Sequence, residues 1–218
     1  KLEQYDNNAP KTMNAHLHVL EAYTLLYQCW KDNGLKKRLE FCVDLFMNRI
    51  YDPSRKHFNL FFDNEWNSLV EMDSYGHDVE TGWLLCEAAR TLENQDLIEQ
   101  TNQLALDVTE ACLAEGMSDK GYMIYEKKGD RKTKHASWWG QIETVIACVN
   151  AWQISGSDVY LQSVDTVWTF VKDHMVDKEY GEWYSDCFDG EPKKEAPKVS
   201  MWRCPYHTVR LGVEMYNR

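Results

Sequence analysis

The chain has 218 residues, of which 44% are hydrophobic and 27% charged, a composition typical of a globular protein that can bury a sizeable core. Its net charge of −11, without a block of basic residues, argues against nucleic acid and membrane as partners. The sequence has no run of about 18 apolar residues, so it predicts no membrane span. The seven cysteines form no CxxC pair, so we expect reduced core thiols in a cytoplasmic protein.

Seven helices are predicted, and most of them follow one another in pairs. Apolar residues recur at helical spacing in each segment, and short aromatic segments with turn residues separate the pairs. The first of these, over residues 57–66, indicates a loop or a short β-hairpin. The predicted helices span residues 16–30, 35–50, 76–92, 95–115, 138–154, 159–175 and 205–216.

The starts of alternate helices recur at a regular interval. From His16 to His77 is 61 residues, from His77 to Trp139 is 62, and from Trp139 to His207 is 68. A helix–helix–loop unit of this length therefore occurs three times and begins a fourth time. Repeats of this kind bury their apolar faces against neighbouring units, in a ring or in an open stack. The first helix of each unit begins with polar or aromatic groups, which favours a double ring with the first helices inside. A tetratricopeptide-type solenoid is the alternative, but its units are much shorter.

Converging inner helices would bring together three histidines from different units, His18, His77 and His207. Histidine has an unperturbed pKa near 6.5, so it can both accept and donate a proton near neutral pH. Two imidazoles on opposite faces of a flat enediolate could remove a proton on one side and return it on the other. The other groups predicted near the helix starts are His16, Asp78, Glu80, Trp83, Trp138, Trp139, Gln141, Glu143 and Trp202.

Other kinds of site are open at this stage. Three histidines could bind Zn²⁺, but the chain has no HExxH motif, and His16 and His18 would point about 200° apart on a helix. We therefore expect no metal. Glu80 and Glu143 could serve as the two carboxylates of a glycoside hydrolase. A non-catalytic carbohydrate-binding domain would use the same aromatic walls.

Four motifs resemble the N-acylglucosamine 2-epimerase superfamily, and within it the branch that epimerises cellobiose. They are KTMNAHLHVLEAY at 11–23, SYGHDVE at 74–80, WWGQIE at 138–143 and WRCPYH at 202–207. The resemblance implies an all-α (α/α)6 barrel and an isomerase that needs no cofactor. The implied reaction is 2-epimerisation of the reducing-end glucose of β-1,4-linked disaccharides, cellobiose and lactose. It would run through ring opening, C2 proton abstraction, a cis-enediolate and re-protonation from the other face.

Position by position, the resemblance makes His77 and His207 the acid/base pair at C2, and His18 a third histidine near the ring oxygen and O1. Gly140 and Thr208 depart from the pattern, where a bulkier residue and asparagine are expected. N-acylglucosamine 2-epimerase and aldose–ketose (mannose) isomerase activities are alternatives that use the same enediolate. The positions implied to contact or shape the sugar site are Asn14, Glu80, Trp83, Trp139, Glu143 and Trp202.

The length of the chain is the main departure from the resemblance. Six units would need roughly 370 to 400 residues, whereas a single catalytic domain over 1–218 holds about three and a half. We therefore expect N-terminal repeats to be missing, including an arginine that the resemblance places at the substrate. An open arc exposes apolar helix faces. We expect the chain alone to be inactive or weakly folded unless a separate N-terminal segment completes the ring.

Overall fold

The computed structural model describes residues 9–218, so residues 1–8 of the predicted domain lie outside the described residues. Seven α-helices within this range match the predicted segments to within a few residues. Two π-helical turns extend the second and sixth helices, at Phe46–Ile50 and Val171–Met175. The helices are α1 (Met13–Cys29), α2 (Asn33–Leu45), α3 (Tyr75–Leu92), α4 (Gln95–Gly116), α5 (Trp138–Ser155), α6 (Val159–Phe170) and α7 (Tyr206–Asn217).

Side-chain caps explain several of these boundaries. The Thr12 hydroxyl accepts a hydrogen bond from the Ala15 amide, which starts α1 three residues before the predicted His16. The Ser137 hydroxyl accepts from the Gly140 amide in the same way at the start of α5. Each cap pairs a backbone donor that the helix cannot satisfy itself, so the motif residues near these starts belong to regular helix.

Ten short strands form four small antiparallel sheets in the described part. The strand before each of α1, α3 and α5 pairs with a strand in the loop that follows the next helix in the chain, α2, α4 and α6 respectively. This arrangement repeats with the predicted unit. The strands are β1 (Lys11–Thr12), β2 (Tyr51–Asp52), β3 (His57–Phe58), β4 (Phe61–Phe62), β5 (Met72–Asp73), β6 (Glu126–Lys128), β7 (Arg131–Thr133), β8 (His135–Ser137), β9 (Asp186–Phe188) and β10 (Glu191–Pro192). The pairs are β1–β4, β2–β3, β5–β6–β7 and β8–β9–β10.

The helices form an inner and an outer layer. Helix α3 packs on α1, α4 and α5, and α5 packs on α3, α6 and α7. Helices α3 and α5 are buried on most sides, whereas α2 and α4 bury one stripe. This burial confirms the predicted inner position of α3 and α5 and the outer position of α2 and α4, whereas α1 and α7 at the two ends of the arc each leave one side exposed.

The two ends of this inner layer do not close into a full ring. A cavity of about 950 Å³ opens between α1 and α7. Apolar side chains beside it are exposed, among them Leu25 at 56%, Val209 at 58% and Val213 at 50%. The described part of the chain is thus an open arc. Among its helices, none has the combination of length and hydropathy that a membrane span needs.

The first turns of α3 and α5 touch through glycine. A Cβ on Gly76 would lie 2.6 Å from the Trp139 ring and 3.1 Å from the Gly140 Cα, so a side chain does not fit there. Gly140 departs from the expected pattern at the point where this close approach occurs. Since both helices begin here, the contact fixes the spacing of the groups that their first turns carry.

Candidate active site

The first turns of the inner helices bring the three predicted histidines to one side of the arc. The Trp139 ring lies between two of them, with centroid distances of 4.6 Å to His77 and 5.8 Å to His207. Tyr206 continues this series, 4.7 Å from His207 and 6.1 Å from His18. Four different inner helices therefore contribute rings to one continuous aromatic group.

Uncharged partners hold His77 in a neutral form. Its Nε2 lies 3.3 Å from the Asn14 amide nitrogen, which can only donate, so Nε2 accepts. The ring proton is then on Nδ1, which donates to the Ser74 hydroxyl at 2.8 Å. Burial lowers the pKa of His77 to about 3, with smaller contributions from the nearby His18 and His207. His77 consequently presents an imidazole lone pair at neutral pH.

His207 has a charged partner instead. Its Nδ1 donates to Glu143 Oε1 at 2.7 Å, and the Glu143 side chain is fully buried. The same carboxylate accepts hydrogen bonds from the Trp83 indole at 2.9 Å and from Arg210 at 3.0 Å. A buried carboxylate on Nδ1 fixes the tautomer and orientation of the His207 ring, so Nε2 is the nitrogen available to a further partner. The two histidines beside Trp139 thus differ in the charge of their partners.

His18 is the most exposed of the three, with 45% of its side chain accessible. Its Nδ1 donates to Glu21 Oε2 at 3.2 Å. This hydrogen bond raises the pKa of His18 above its ordinary value, against the opposing effect of burial, and the charge of Glu80 adds to the rise. Among the three histidines, His18 therefore has the most direct access to solvent.

Arg210 joins the three carboxylates of the site, and the sequence analysis did not single it out. Its guanidinium donates to Glu80 at 2.6 Å, to Glu143 at 3.0 Å and to Glu21. It also lies over the Tyr206 ring at 4.1 Å. These carboxylates raise the pKa of Arg210 despite its burial. Its position three residues after His207 on a helix was the available signal, since that spacing places both side chains on one face.

Glu80 is 1% exposed and titrates unusually high. Burial and the charge of the neighbouring Glu143 together raise its pKa from 4.5 to about 7, against the opposing effect of Arg210. Glu80 lies within 4.8 Å of Glu143 and His207, a grouping that could hold a metal ion. The guanidinium of Arg210 already supplies a positive charge to both carboxylates, so this group is better suited to a fixed cation than to a bound one.

The remaining predicted residues have different surroundings. Trp83 is 3% exposed, and its indole nitrogen donates a hydrogen bond to Glu143. Trp83 therefore packs behind the carboxylates and holds Glu143 in place. Trp202 is 59% exposed, and within residues 9–218 its indole makes no ring contact with the three histidines. His16 turns to the Thr12 carbonyl and the Trp66 ring. Asp78 turns from the predicted pocket to His57, a residue to which the sequence assigned no role.

The sequence of the chain matches one protein family over most of its length. Residues 2–210 match the family model described as N-acylglucosamine 2-epimerase (GlcNAc 2-epimerase). The chain belongs to this family. Membership agrees with the predicted (α/α)6 barrel class, of which the described residues form an open part, and with the isomerase class of enzyme.

Several members of the N-acylglucosamine 2-epimerase family are similar to this chain along its whole length. A cellobiose 2-epimerase of Bacteroides fragilis is 40% identical over 220 residues, which cover 99% of this chain and 55% of that protein. A solved structure of a sugar epimerase from a ruminal bacterium has a TM-score of 0.95 at 35% identity, and covers 100% of this chain and 56% of the other. The cellobiose 2-epimerase of Bacillus thermoamylovorans has a TM-score of 0.94 at 35% identity, with 99% and 56% covered. The chain therefore spans about half the length of the relatives it matches.

Proposed function

We propose that this chain carries the acid/base half of a carbohydrate 2-epimerase site, acting at C2 of a reducing-end sugar. One observation carries the proposal. His77 and His207 flank the ring of Trp139, and one is held by uncharged partners whereas the other is held by a carboxylate. A two-base epimerisation needs such a pair, since one group must be free to accept a proton while the other has a proton to give.

The proton transfers follow from these partners. His77 takes the C2 proton through its unprotonated Nε2, and the electron pair left behind moves toward the C1 carbonyl oxygen to form an enediolate. His207, whose ring is held at Nδ1 by Glu143, returns a proton from Nε2 to C2 on the opposite face. The reverse reaction exchanges the two roles. Both steps are proton transfers between side chains and sugar, so we propose that no cofactor takes part.

His18 is suited to the preceding step, opening of the sugar ring. Its Nδ1 is held by Glu21, and the raised pKa keeps the imidazole protonated closer to neutral pH. A protonated, solvent-accessible imidazole can donate its proton to the ring oxygen while the O1 proton passes to solvent water. We propose that Asn14 and Trp139 contact the open-chain sugar and that the exposed indole of Trp202 covers the second sugar of a disaccharide. Glu80 and Glu143 act through Arg210 and the histidines, and Trp83 acts through Glu143.

The substrate we propose is a β-1,4-linked disaccharide, cellobiose or lactose. The support is the similarity along the whole chain to proteins named cellobiose 2-epimerase, together with a broad aromatic surface at the site. An aldose–ketose isomerase would form the same enediolate and return the proton to C1 rather than C2. Product identity separates the two reactions.

Full activity is proposed to require the N-terminal half of a barrel, supplied as a separate segment. The exposed apolar side chains of α1 and α7 flank the cavity of about 950 Å³, and relatives of this chain are nearly twice its length. About two and a half further helix-pair repeats in this opening would bury those side chains. They would also cover the solvent-facing side of the histidine site.

The deciding experiment is solvent exchange at C2. The chain is incubated with cellobiose in D₂O, alone and mixed with the N-terminal half of the Bacteroides fragilis relative, and the C2 deuterium and the products are followed by NMR. We expect exchange and 4-O-glucosyl-mannose in the mixture, and little or none from the chain alone. His77→Ala and His207→Ala should abolish exchange while His174→Ala should not. Sugar binding without any exchange in the unaltered mixture would instead identify a binding module.

A further inference from the structure

A buried ion pair holds the first turn of α3, the turn that carries His77. His57 on β3 is 1% exposed, and its Nδ1 donates to Asp78 Oδ2 at 2.8 Å. The other oxygen of Asp78 accepts from the backbone amide of Phe58 at 2.9 Å, and Asp78 is fully buried. Both oxygens of one carboxylate on α3 are therefore bound by adjacent residues of a single strand.

The same loop holds the residues just before α3. Arg55, two positions before His57, donates to the carboxylate of Asp73 on β5. Asp73 directly precedes Ser74, whose hydroxyl accepts from His77 Nδ1. The Ser74 carbonyl accepts from the amide of Asp78 at 2.9 Å. The segment 55–58 thus anchors both ends of 73–78, and the hydroxyl that orients His77 lies between these anchors.

The charges around His57 favour its imidazolium form. Burial alone would lower its pKa, but the hydrogen bond and charge of Asp78 raise the pKa above 6.5, and the charges of Asp73 and Glu115 add to this. His57 Nε2 is buried without a hydrogen-bond partner in the described part and faces Glu115 Oε1 at 3.7 Å. The groups near its ring are Asp78 and Tyr75 on α3, Asp73 on β5, and Cys112 and Glu115 on α4, with Arg55 and Lys127 paired to the outer carboxylates.

We propose that His57 is a positioning residue, which as an imidazolium bound to Asp78 fixes the first turn of α3 and so aims His77 Nε2 at the sugar. It touches neither the sugar nor the other site histidines. The proposal rests on the proposed function for its effect on catalysis, but not for its effect on the His77 ring. An uncompensated buried carboxylate would be costly, so the pair acts as a unit. The loop of one repeat therefore controls the base on the next repeat.

The test follows the histidine rings of this chain by ¹⁵N NMR over a pH series. The double variant His57→Phe/Asp78→Leu removes both charges and keeps the site apolar, a replacement that folds tolerate well. Asp78→Asn removes the negative charge and keeps an acceptor for Phe58, so it serves if the double variant does not fold. His57→Asn keeps a donor near Asp78 and is the rescue variant. His174→Asn is the matched control, because His174 Nδ1 bonds a backbone carbonyl on another repeat.

We expect the unaltered chain to show His57 protonated above pH 6.5 and His77 in the single Nδ1–H form. In the folded double variant, or in Asp78→Asn, His77 should populate both tautomers. Its pKa should rise from about 3 toward 6.5. In the mixture with the N-terminal half, kcat for C2 exchange should fall about 10- to 100-fold with KM nearly unchanged, and His57→Asn should recover part of it. Unchanged His77 signals in a folded variant overturn the positioning role. Absence of exchange from the unaltered mixture overturns the proposed function alone, because the ring signals still decide the role of His57.

Discussion

Arg210 donates to the Glu80 carboxylate at 2.6 Å and so joins α7 to α3 across 130 positions of the chain. The same guanidinium reaches Glu143 on α5 and Glu21 on α1, so one side chain contacts all of the other inner helices. Three carboxylates share this one cation, so its loss would leave all three without their counter-charge. This relationship couples the folding of the arc to the electrostatics of the candidate site.

Replacing Arg210 should therefore destabilise the chain strongly. Arg210→Met leaves buried carboxylates without a counter-charge, and we expect a loss of about 3–5 kcal/mol in the free energy of unfolding. Arg210→Lys keeps the charge without the forked geometry, so its loss should be smaller. Urea denaturation followed by circular dichroism measures both. Arg38→Met is the control, because Arg38 is exposed on α2. An Arg210→Met variant as stable as this control would show that the carboxylates do not depend on the guanidinium.

The stability of the chain should carry a pH dependence from Glu80. Its pKa of about 7 in the folded chain lies above the ordinary 4.5, so the folded state holds this proton longer than the unfolded state. Its contribution is full below pH 4.5 and is lost as pH rises to about 7. The difference in unfolding free energy between the unaltered chain and Glu80→Gln should fall by up to about 3 kcal/mol over that range. Thermal melts at closely spaced pH values give this difference. Glu65→Gln, an exposed control, should show no such trend, and a flat difference for Glu80→Gln would contradict the assignment.

The glycine contact between α3 and α5 should tolerate no side chain. In Gly76→Ala the new methyl group meets the Trp139 ring, so we expect a loss of about 1–3 kcal/mol and displacement of Trp139. Tryptophan fluorescence reports the displacement, and urea denaturation reports the stability. Gly212→Ala on α7 is the matched control, since its added methyl group has open space, and it should stabilise the helix by about 1 kcal/mol. Equal effects of the two substitutions would argue against the close approach.

Removing the charge of Glu143 should slow proton exchange more than it alters the fold. In Glu143→Gln the amide oxygen can still accept a hydrogen bond, but the negative charge beside the His207 Nδ1 is lost. We expect the rate of C2 exchange into cellobiose, measured in D₂O with the N-terminal half present, to fall about 100-fold or more. Glu191→Gln, exposed on β10, should leave the rate unchanged. Retention of full exchange by Glu143→Gln would remove His207 from the proposed acid role.

The layered fold was accessible from the sequence because the helices repeat. Apolar spacing located all seven described helices, and the interval between helix starts predicted that His77 and His207 would lie on one side of the inner layer. The short strands were less accessible. The aromatic segment over 57–66 contains strands, but they pair with Tyr51–Asp52 and Lys11–Thr12 outside that segment. Two-residue strands have too few positions for an alternating pattern to show their partners.

The sequence did not reveal residues whose roles depend on several distant partners. Arg210 matters because three helices place carboxylates around it, and spacing within one helix does not show that. His57 looked like an ordinary loop residue, yet its burial depends on Asp78, 21 positions later. Asp78 and Glu80 are two residues apart on α3 and therefore face different neighbours. Local pattern identified the helix, but the packing of other elements decided which carboxylate belongs to the candidate site.

The direct meeting of the α3 and α5 backbones at Gly76 and Gly140 has a consequence for how this architecture can diversify. Because the two main chains are in contact, there is no side chain between them to shorten or enlarge. This glycine seam therefore fixes the distance between the first turns of α3 and α5. Under the proposed function, a change in the size of the accepted sugar would then depend on the connecting segments, such as the one that carries the exposed Trp202. Enzyme engineers who seek altered substrate range would do best to randomise those segments and leave the seam untouched.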